Sequence, residues 1–349
     1  MNNSINEVTS DKSSMNNALQ SSDVIIKGLL FGGAVDVTAI SGRSLVEKAR
    51  QTHKLSRVCT AALGRSLLGT SLMASALKND TDSITMIIAG GGPAGKITAV
   101  GTAGGIVKGY IENSQIELPL TEKNKLDVSG AVGKNGEIRV IRDLSLKEPY
   151  VGRCPLATGE IAEDLAKYFF ISEQQPSLVY LGVHIEPVSG KTLAASGMII
   201  SPLPNCPDEY ITRLEVLSGR IAMLTGILEK NASLESALKD MFADMDFEIL
   251  AKMTPAFECD CSRFRLEKVL ISLGADELKS IIETDGQAEV VCRFCSKKYH
   301  FDKEELISLF NEASDKSESE AEDGPEDESV PCSDNPGEKN GGSENNAEK

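Results

Sequence analysis

The sequence predicts an α+β protein: an N-terminal antiparallel-sheet domain with helices, a helical linker, a small C-terminal four-cysteine domain, and a disordered acidic tail. Three observations carry that prediction. Between residues 83 and 201, short apolar runs alternate with glycine turns while helical spacing stays in separate segments, which opposes a doubly wound sheet. Leu214, Leu217, Ile221, Leu224 and Leu228 recur at intervals of three and four, the apolar stripe of one helix face. Four of the 8 cysteines crowd between 259 and 295.

Taken in order, residues 1–22 are polar, without an apolar core or arginine. They read as a disordered extension, neither a secretory signal nor a transit peptide. The α+β core spans 23–204. Its segment 43–78 has helical apolar spacing, with Gly64 as a candidate break. "SITMIIAG", "GKITAVGTA", "GIVKGYIEN" and "GEIRVIRDL" read as consecutive strands, and "GEIAEDLAKYFFISEQQ" as a helix. "SLVYLGVHIEP" and "TLAASGMIIS" form a hairpin about Ser189-Gly190. The helical linker runs from 205 to 258, with a second helix near 233–243. Its stripe reads first as a face packed on its own protein. In the cysteine domain, 259–310, two short helices with a stop at Gly274 precede a strand-like "AEVVCRF" after the Asp285-Gly286 turn. The tail, 311–349, has no apolar pattern and reads as a solvated, disordered extension.

A chain of 349 residues fits about two domains. The net charge is −16, but residues 312–349 hold 13 acids against 3 lysines, so most of it is local to the tail. The rest is mildly acidic, which disfavours nucleic acid as a partner. No stretch approaches a membrane span, and cysteine is too sparse for a secreted disulfide scaffold, so a cytoplasmic location is expected.

"GGGPAGKI" (90–97) contains a GxGxxG match at Gly90, Gly92 and Gly95, yet it reads as a turn between strands. Pro93 removes an amide, Ile97 stands where a metal-binding hydroxyl is needed, and residues 97–113 alternate like strands instead of opening a helix. His53, His184 and His300 are far apart in sequence and read as packed or surface residues. The acids Glu160, Glu163 and Asp164 sit at a helix start, where the macrodipole accounts for them. No enzyme activity is expected.

Cys259-x-Cys261, thirty residues, then Cys292-x-x-Cys295 makes two arms with four thiolates, a closed tetrahedral set typical of structural zinc. The module buries little else, so metal should supply most of its folding free energy. Zinc holds thiols as thiolates, the reactive form, and each arm brings two sulfurs within reach of a disulfide. Oxidising both arms would eject the ion. The CxC ring is tight, so its bridge is expected to be strained and readily reduced.

The chain resembles the Hsp33 family of redox-regulated chaperones. "CRFCSKKYHF" is similar to the family's CxFCxxxYxF, and three stretches occur in the family's order: "GGGPAGKITAVGTAGGIVKGYIEN", "LDVSGAVGKNGEIRVIRDLSLKEPYVG" and "GEIAEDLAKYFFISEQQPSLVYLGV". The resemblance covers about 23–310. It implies a zinc-bound, inactive, reduced form that oxidation converts to Cys259–Cys261 and Cys292–Cys295 disulfides with zinc release. Linker and zinc domain would then unfold and bind unfolding client proteins without ATP. It also implies a homodimer when oxidised and reduction by cellular thiol systems. The Leu214–Leu228 stripe becomes the candidate client-binding surface, masked when reduced. Cys59, Cys154, Cys206 and Cys332 lie outside the motif. The first two read as buried apolar residues, and the last two as able to form unplanned bridges. A zinc-ribbon interaction module without redox switching is the competing reading; it accounts for the metal but has no need of CxC. A thiol oxidoreductase is disfavoured because Cys292 comes after a strand-like run instead of opening a helix.

Overall fold

The computed structural model describes residues 23–322. What the sequence predicts for 1–22 and 323–349, Cys332 included, lies outside them. Strands β1 (Val24–Leu30) and β2 (Val35–Ser41) are followed by helices α1 (Arg43–His53) and α2 (Arg57–Ala74). A meander of β3 (Ser83–Ala89), β4 (Ile97–Thr102) and β5 (Ile106–Ile111) comes next. Then come α3 (Val128–Val132), β6 (Glu137–Asp143), β7 (Tyr150–Pro155), α4 (Ala162–Ser172), β8 (Leu178–Ile185) and β9 (Thr192–Pro202). Segment 205–258 holds α5 (Asp208–Ile221), α6 (Leu224–Glu229), α7 (Leu234–Met241) and β10 (Glu248–Met253). Beyond it lie α8 (Arg263–Ile271), α9 (Ala275–Thr284), β11 (Ala288–Val291), β12 (Lys298–Phe301) and α10 (Lys303–Glu322).

Two five-stranded sheets organise the core, ordered β10-β1-β2-β9-β8 and β5-β4-β3-β6-β7. The pairings within both are antiparallel, as the glycine-turn pattern predicts. Helix α2 packs against strands of both sheets and is buried almost all round. A helix so placed must be apolar or internally satisfied. Here Thr60, Ser66 and Thr70 return their hydroxyls to the carbonyls of Ser56, Ala62 and Ser66.

The segment 43–78 is two helices, and the break does not fall at Gly64. The chain turns at Lys54, whose φ of 51° ends α1, and Ser56 caps α2 through its side chain. Gly64 is interior to α2, where a Cβ would lie 2.9 Å from Val46 and 3.1 Å from Val183. Glycine serves there for close packing, and its helix-breaking tendency is outweighed by burial. The stripe expected on one helix is likewise divided, with Leu214, Leu217 and Ile221 on α5 and Leu224 and Leu228 on α6.

Two compact units account for the described chain. The first comprises 23–261 with 291–298; the second comprises 262–290 with 299–322. In the second, α8, α9 and α10 bury Leu270, Leu278, Tyr299, Phe301, Leu306 and Leu309. Arg263 stacks 4.3 Å above the Phe301 ring centre and pairs with Glu305. Helix α10 runs to Glu322, past residue 310 where the sequence loses its apolar pattern. Among the described residues, no helix is long and apolar enough to cross a membrane.

Candidate functional site

The four cysteines all fall in the first unit. After β10 leaves the edge of one sheet, the chain reaches the edge of the other. The Val107 amide donates to the Ala256 carbonyl at 2.8 Å, and the Glu258 amide donates to the Val107 carbonyl at 2.9 Å. This short parallel bridge seats Phe257, 3 % exposed, in the main core. Cys259 and Cys261 come directly after it, so a sheet edge positions the first arm. The second arm is a knuckle closed by hydrogen bonds from the Cys292 amide to the Lys297 carbonyl and from the Ser296 amide to the Cys292 carbonyl. Ser296 takes a φ of 58° to complete that turn.

All four sulfurs lie within 4.8 Å of one another. The Cys259–Cys292 separation is 3.8 Å and the Cys261–Cys295 separation is 3.3 Å. Zinc–sulfur bonds of about 2.3 Å in a tetrahedron put sulfurs roughly 3.8 Å apart, so the set fits one soft metal ion. Its own electrostatics point the same way. Burial pushes the Cys259 thiol far above its ordinary range, and the thiols of Cys261 and Cys292 add to this. Burial, reinforced by Cys261 and Cys292, pushes Cys295 to about 11. With Cys259 and Cys295 held so far from ionisation, a cation among the sulfurs is what would keep these two as thiolates.

Residues far away in sequence grip the middle of each arm. Lys108 on β5 pairs with Asp260, the residue between the first two cysteines. Its ammonium also lies 5.3 Å from the ring centre of Phe294, between the second two. Tyr110 meets Phe294 edge-on at 5.3 Å, and His53 Nε2 is 3.1 Å from the Phe294 carbonyl. The His53 ring also stands edge-on to Phe257 at 6.1 Å. Burial lowers the His53 pKa, and hydrogen bonds to the carbonyls of Gly109 and Phe294 offset part of that shift. His53 is thus a packed residue, in keeping with its sequence reading, and its neighbours Phe257 and Phe294 belong to the stretches that carry the two arms. No sequence signal marks His53, Lys108 or Tyr110, because each lies 152 or more residues from the arm residue it meets.

The apolar stripe lies on the sheet containing β1, β2 and β9, in one cluster with Ile26, Leu30, Val37, Met198 and Ile200. Leu214, Leu217, Ile221 and Leu224 are buried there and Leu228 is partly buried. Thr225 pins the register: its buried Oγ1 lies 2.7 Å from both Tyr180 Oη and Ser196 Oγ. A signal for it exists in the sequence, since position 225 is four residues after Ile221, a hydroxyl on an otherwise apolar face. His184 is exposed and holds Glu229 at 2.7 Å. His300 is exposed on β12. Cys59 and Cys154 are fully buried.

The glycine loop is a turn, as its sequence implies. The amides of Gly92 and Ala94 are consumed by the carbonyls of Val132 and Ala131 at 2.9 and 3.0 Å. A Cβ on Gly90 or Gly92 would sit within 2.5 Å of that facing backbone. Those two amides are therefore not free to face a phosphate.

A two-sheet core with helices laid over one sheet and four converging thiols beside the other defines a thiol-cluster protein. The model of the family described as Hsp33 protein matches residues 23–302. The 33 kDa chaperonin of Alkaliphilus metalliredigens is 44% identical over 288 residues, 82% of this chain and 98% of the relative. That of Clostridioides difficile is 40% identical over 290 residues, 83% of this chain and 99% of the relative. The crystal structure of the Thermotoga maritima 33 kDa chaperonin superposes with a TM-score of 0.77 at 34% identity, covering 84% of this chain and 100% of that one. The chain belongs to the Hsp33 family of chaperones.

Proposed function

We propose that the protein is a redox-switched, ATP-independent holdase whose reduced form carries zinc on Cys259, Cys261, Cys292 and Cys295. One observation carries the reading. The apolar stripe is buried on a sheet face, in the same compact unit as a thiol cluster whose first cysteine, Cys259, directly follows the stripe's segment 205–258. In the reduced form the four thiolates close the arms over the seat formed by His53, Lys108 and Tyr110. On oxidation each arm gives up two electrons to one peroxide, forming one sulfur–sulfur bond while the peroxide takes up two protons and leaves as two waters. Two peroxides and four protons thus convert four thiolates to two disulfides, and no ligand is left for the ion. The segment 205–258 then loses its anchor, and Leu214, Leu217, Ile221, Leu224 and Leu228 become available to unfolding clients. Functionally the chain divides into a chaperone core (23–204), a linker (205–258) and a redox-switch domain (259–310). The oxidised form is a homodimer, cellular dithiols reverse the change, and the protein works in the cytoplasm.

The test is suppression of aggregation of a denatured client without ATP, before and after peroxide with mild heat. Activity should rise with zinc release, and equal activity in both forms would sink the switch. Since all the sulfurs lie within 4.8 Å, proximity alone does not choose a pairing. Peptide mapping should return Cys259–Cys261 and Cys292–Cys295; cross-arm bridges as the main products would refute the pairing.

The seat makes a second expectation. Lys108→Glu removes the pairing with Asp260 and the contact with Phe294, together about 1 kcal/mol at this partly exposed site. Zinc release to a fixed peroxide concentration should accelerate about fivefold, as read with a chromogenic chelator. Adding Asp260→Lys should restore much of the original rate. An unchanged rate in Lys108→Glu would show that the seat does not steady the arms.

A further inference from the structure

The seat of the first arm is itself a peptide-binding edge. β5 is the outer strand of its sheet, and Val107 points both backbone groups away from β4. Three residues of the protein's own chain, Ala256–Glu258, occupy that edge by strand addition. Phe257 fills a core hollow beside His53, and the acid at 260 reaches Lys108. Strand addition uses main-chain hydrogen bonds for affinity and side-chain pockets for selectivity, and both components are present. Withdrawal of the arm leaves an unpaired strand edge, an apolar hollow sized for an aromatic ring, and a lysine three residues further along the seated segment. An unpaired edge is a template for another extended chain.

We infer that the β5 edge is a client-binding groove, kept closed in the reduced form by residues 256–260 acting as an internal substitute for a client. Its ligand is an extended segment of an unfolding protein that carries a large apolar or aromatic side chain, preferably with an acidic residue about three positions later. This groove is separate from the sheet face that holds the linker stripe. The inference rests on the redox-switch reading, because that reading supplies the withdrawal of the arm.

The probe is a fluorescein-labelled nonapeptide spanning 253–261 with serine in place of Cys259 and Cys261, titrated by anisotropy against the full chain. Peroxide-oxidised, zinc-free protein should bind it at least about tenfold more tightly than reduced, zinc-loaded protein, since only the former presents the edge. A peptide carrying Phe257→Ala should lose about tenfold or more, as expected of a buried aromatic anchor. In the protein, Val107→Pro removes the outward amide without costing a β4 pairing bond and should abolish binding. Lys108→Glu serves as a second variant if Val107→Pro misfolds; it should weaken the acidic peptide and spare one with lysine at position 260. Equal binding to both redox forms, no saturable binding to the oxidised form, or indifference to Phe257→Ala would overturn the groove. Aggregation suppression measured on the same samples separates the two failures. A chain that protects clients but ignores the peptide keeps the switch and loses the groove. A chain that never protects clients loses the switch, and binding of the peptide to zinc-stripped protein still decides whether the edge opens.

Discussion

Replacing Cys259, Cys261, Cys292 and Cys295 together with serine is expected to take bound zinc from one equivalent to none and to abolish the need for peroxide in client protection. The expected effect is large because structural zinc contributes about 10–16 kcal/mol of apparent binding free energy in small cysteine modules. Little else holds the arms. The Lys108–Asp260 pair is partly exposed, the knuckle is closed by two backbone bonds, and Pro255, Phe257 and Cys292 are the buried residues of the two arms. Against marginal local stability of that kind, losing the ion leaves 254–261 and 291–298 without a folded alternative. Metal analysis after dialysis, limited proteolysis and the aggregation assay read the three consequences separately. The sheets pack their own core around α2 and should keep their far-UV dichroism. Retention of a full zinc equivalent by the serine variant would refute the site.

The second large effect should come from Phe242→Ala, which removes a fully buried ring from the cluster between 205–258 and its sheet. Phe242 packs against Phe247 at 5.5 Å between ring centres, beside Leu238 and Met245 in the same cluster. Phe→Ala in a core costs about 3–5 kcal/mol through lost transfer energy and the cavity left behind. Short helices such as α6 and α7 have little stability apart from packing. The loss should therefore appear as local opening, with amide exchange across 208–247 accelerated at least about a hundredfold while α2 is unchanged. If that segment is the mask of the client surface, the reduced, zinc-loaded variant should also suppress aggregation. Uniform acceleration of exchange through α2 and both sheets would show that the segment does not detach separately.

The elements that are easy to read in the sequence are those whose reasons are local. The glycine turns of β3–β5 punctuate alternating runs, and the Ser189-Gly190 hairpin is set by residues within a few positions of one another. The two arms are equally plain, because ligand chemistry and spacing are written side by side. Misplacing the helix break at Gly64 has a different origin. Propensity treats glycine as a breaker, but here Val46 and Val183 press close enough to need it. The stripe residues are legible as an apolar face, yet their division between α5 and α6 is not, since no breaker residue stands at 222–223.

By itself the sequence determined the fold class, the composition of the thiol cluster, and the presence of an apolar face waiting for a partner. Those properties depend on periodicity and short spacing, which any contiguous stretch of chain displays. Only the tertiary structure decided what the face packs on and what the arms rest against. Thr225 meeting Tyr180 and Ser196, and His53, Lys108 and Tyr110 meeting Phe294 and Asp260, join residues separated by many turns of chain. Such contacts arise when two sheets and a buried helix fix where distant side chains emerge, and one-dimensional spacing carries no record of that placement.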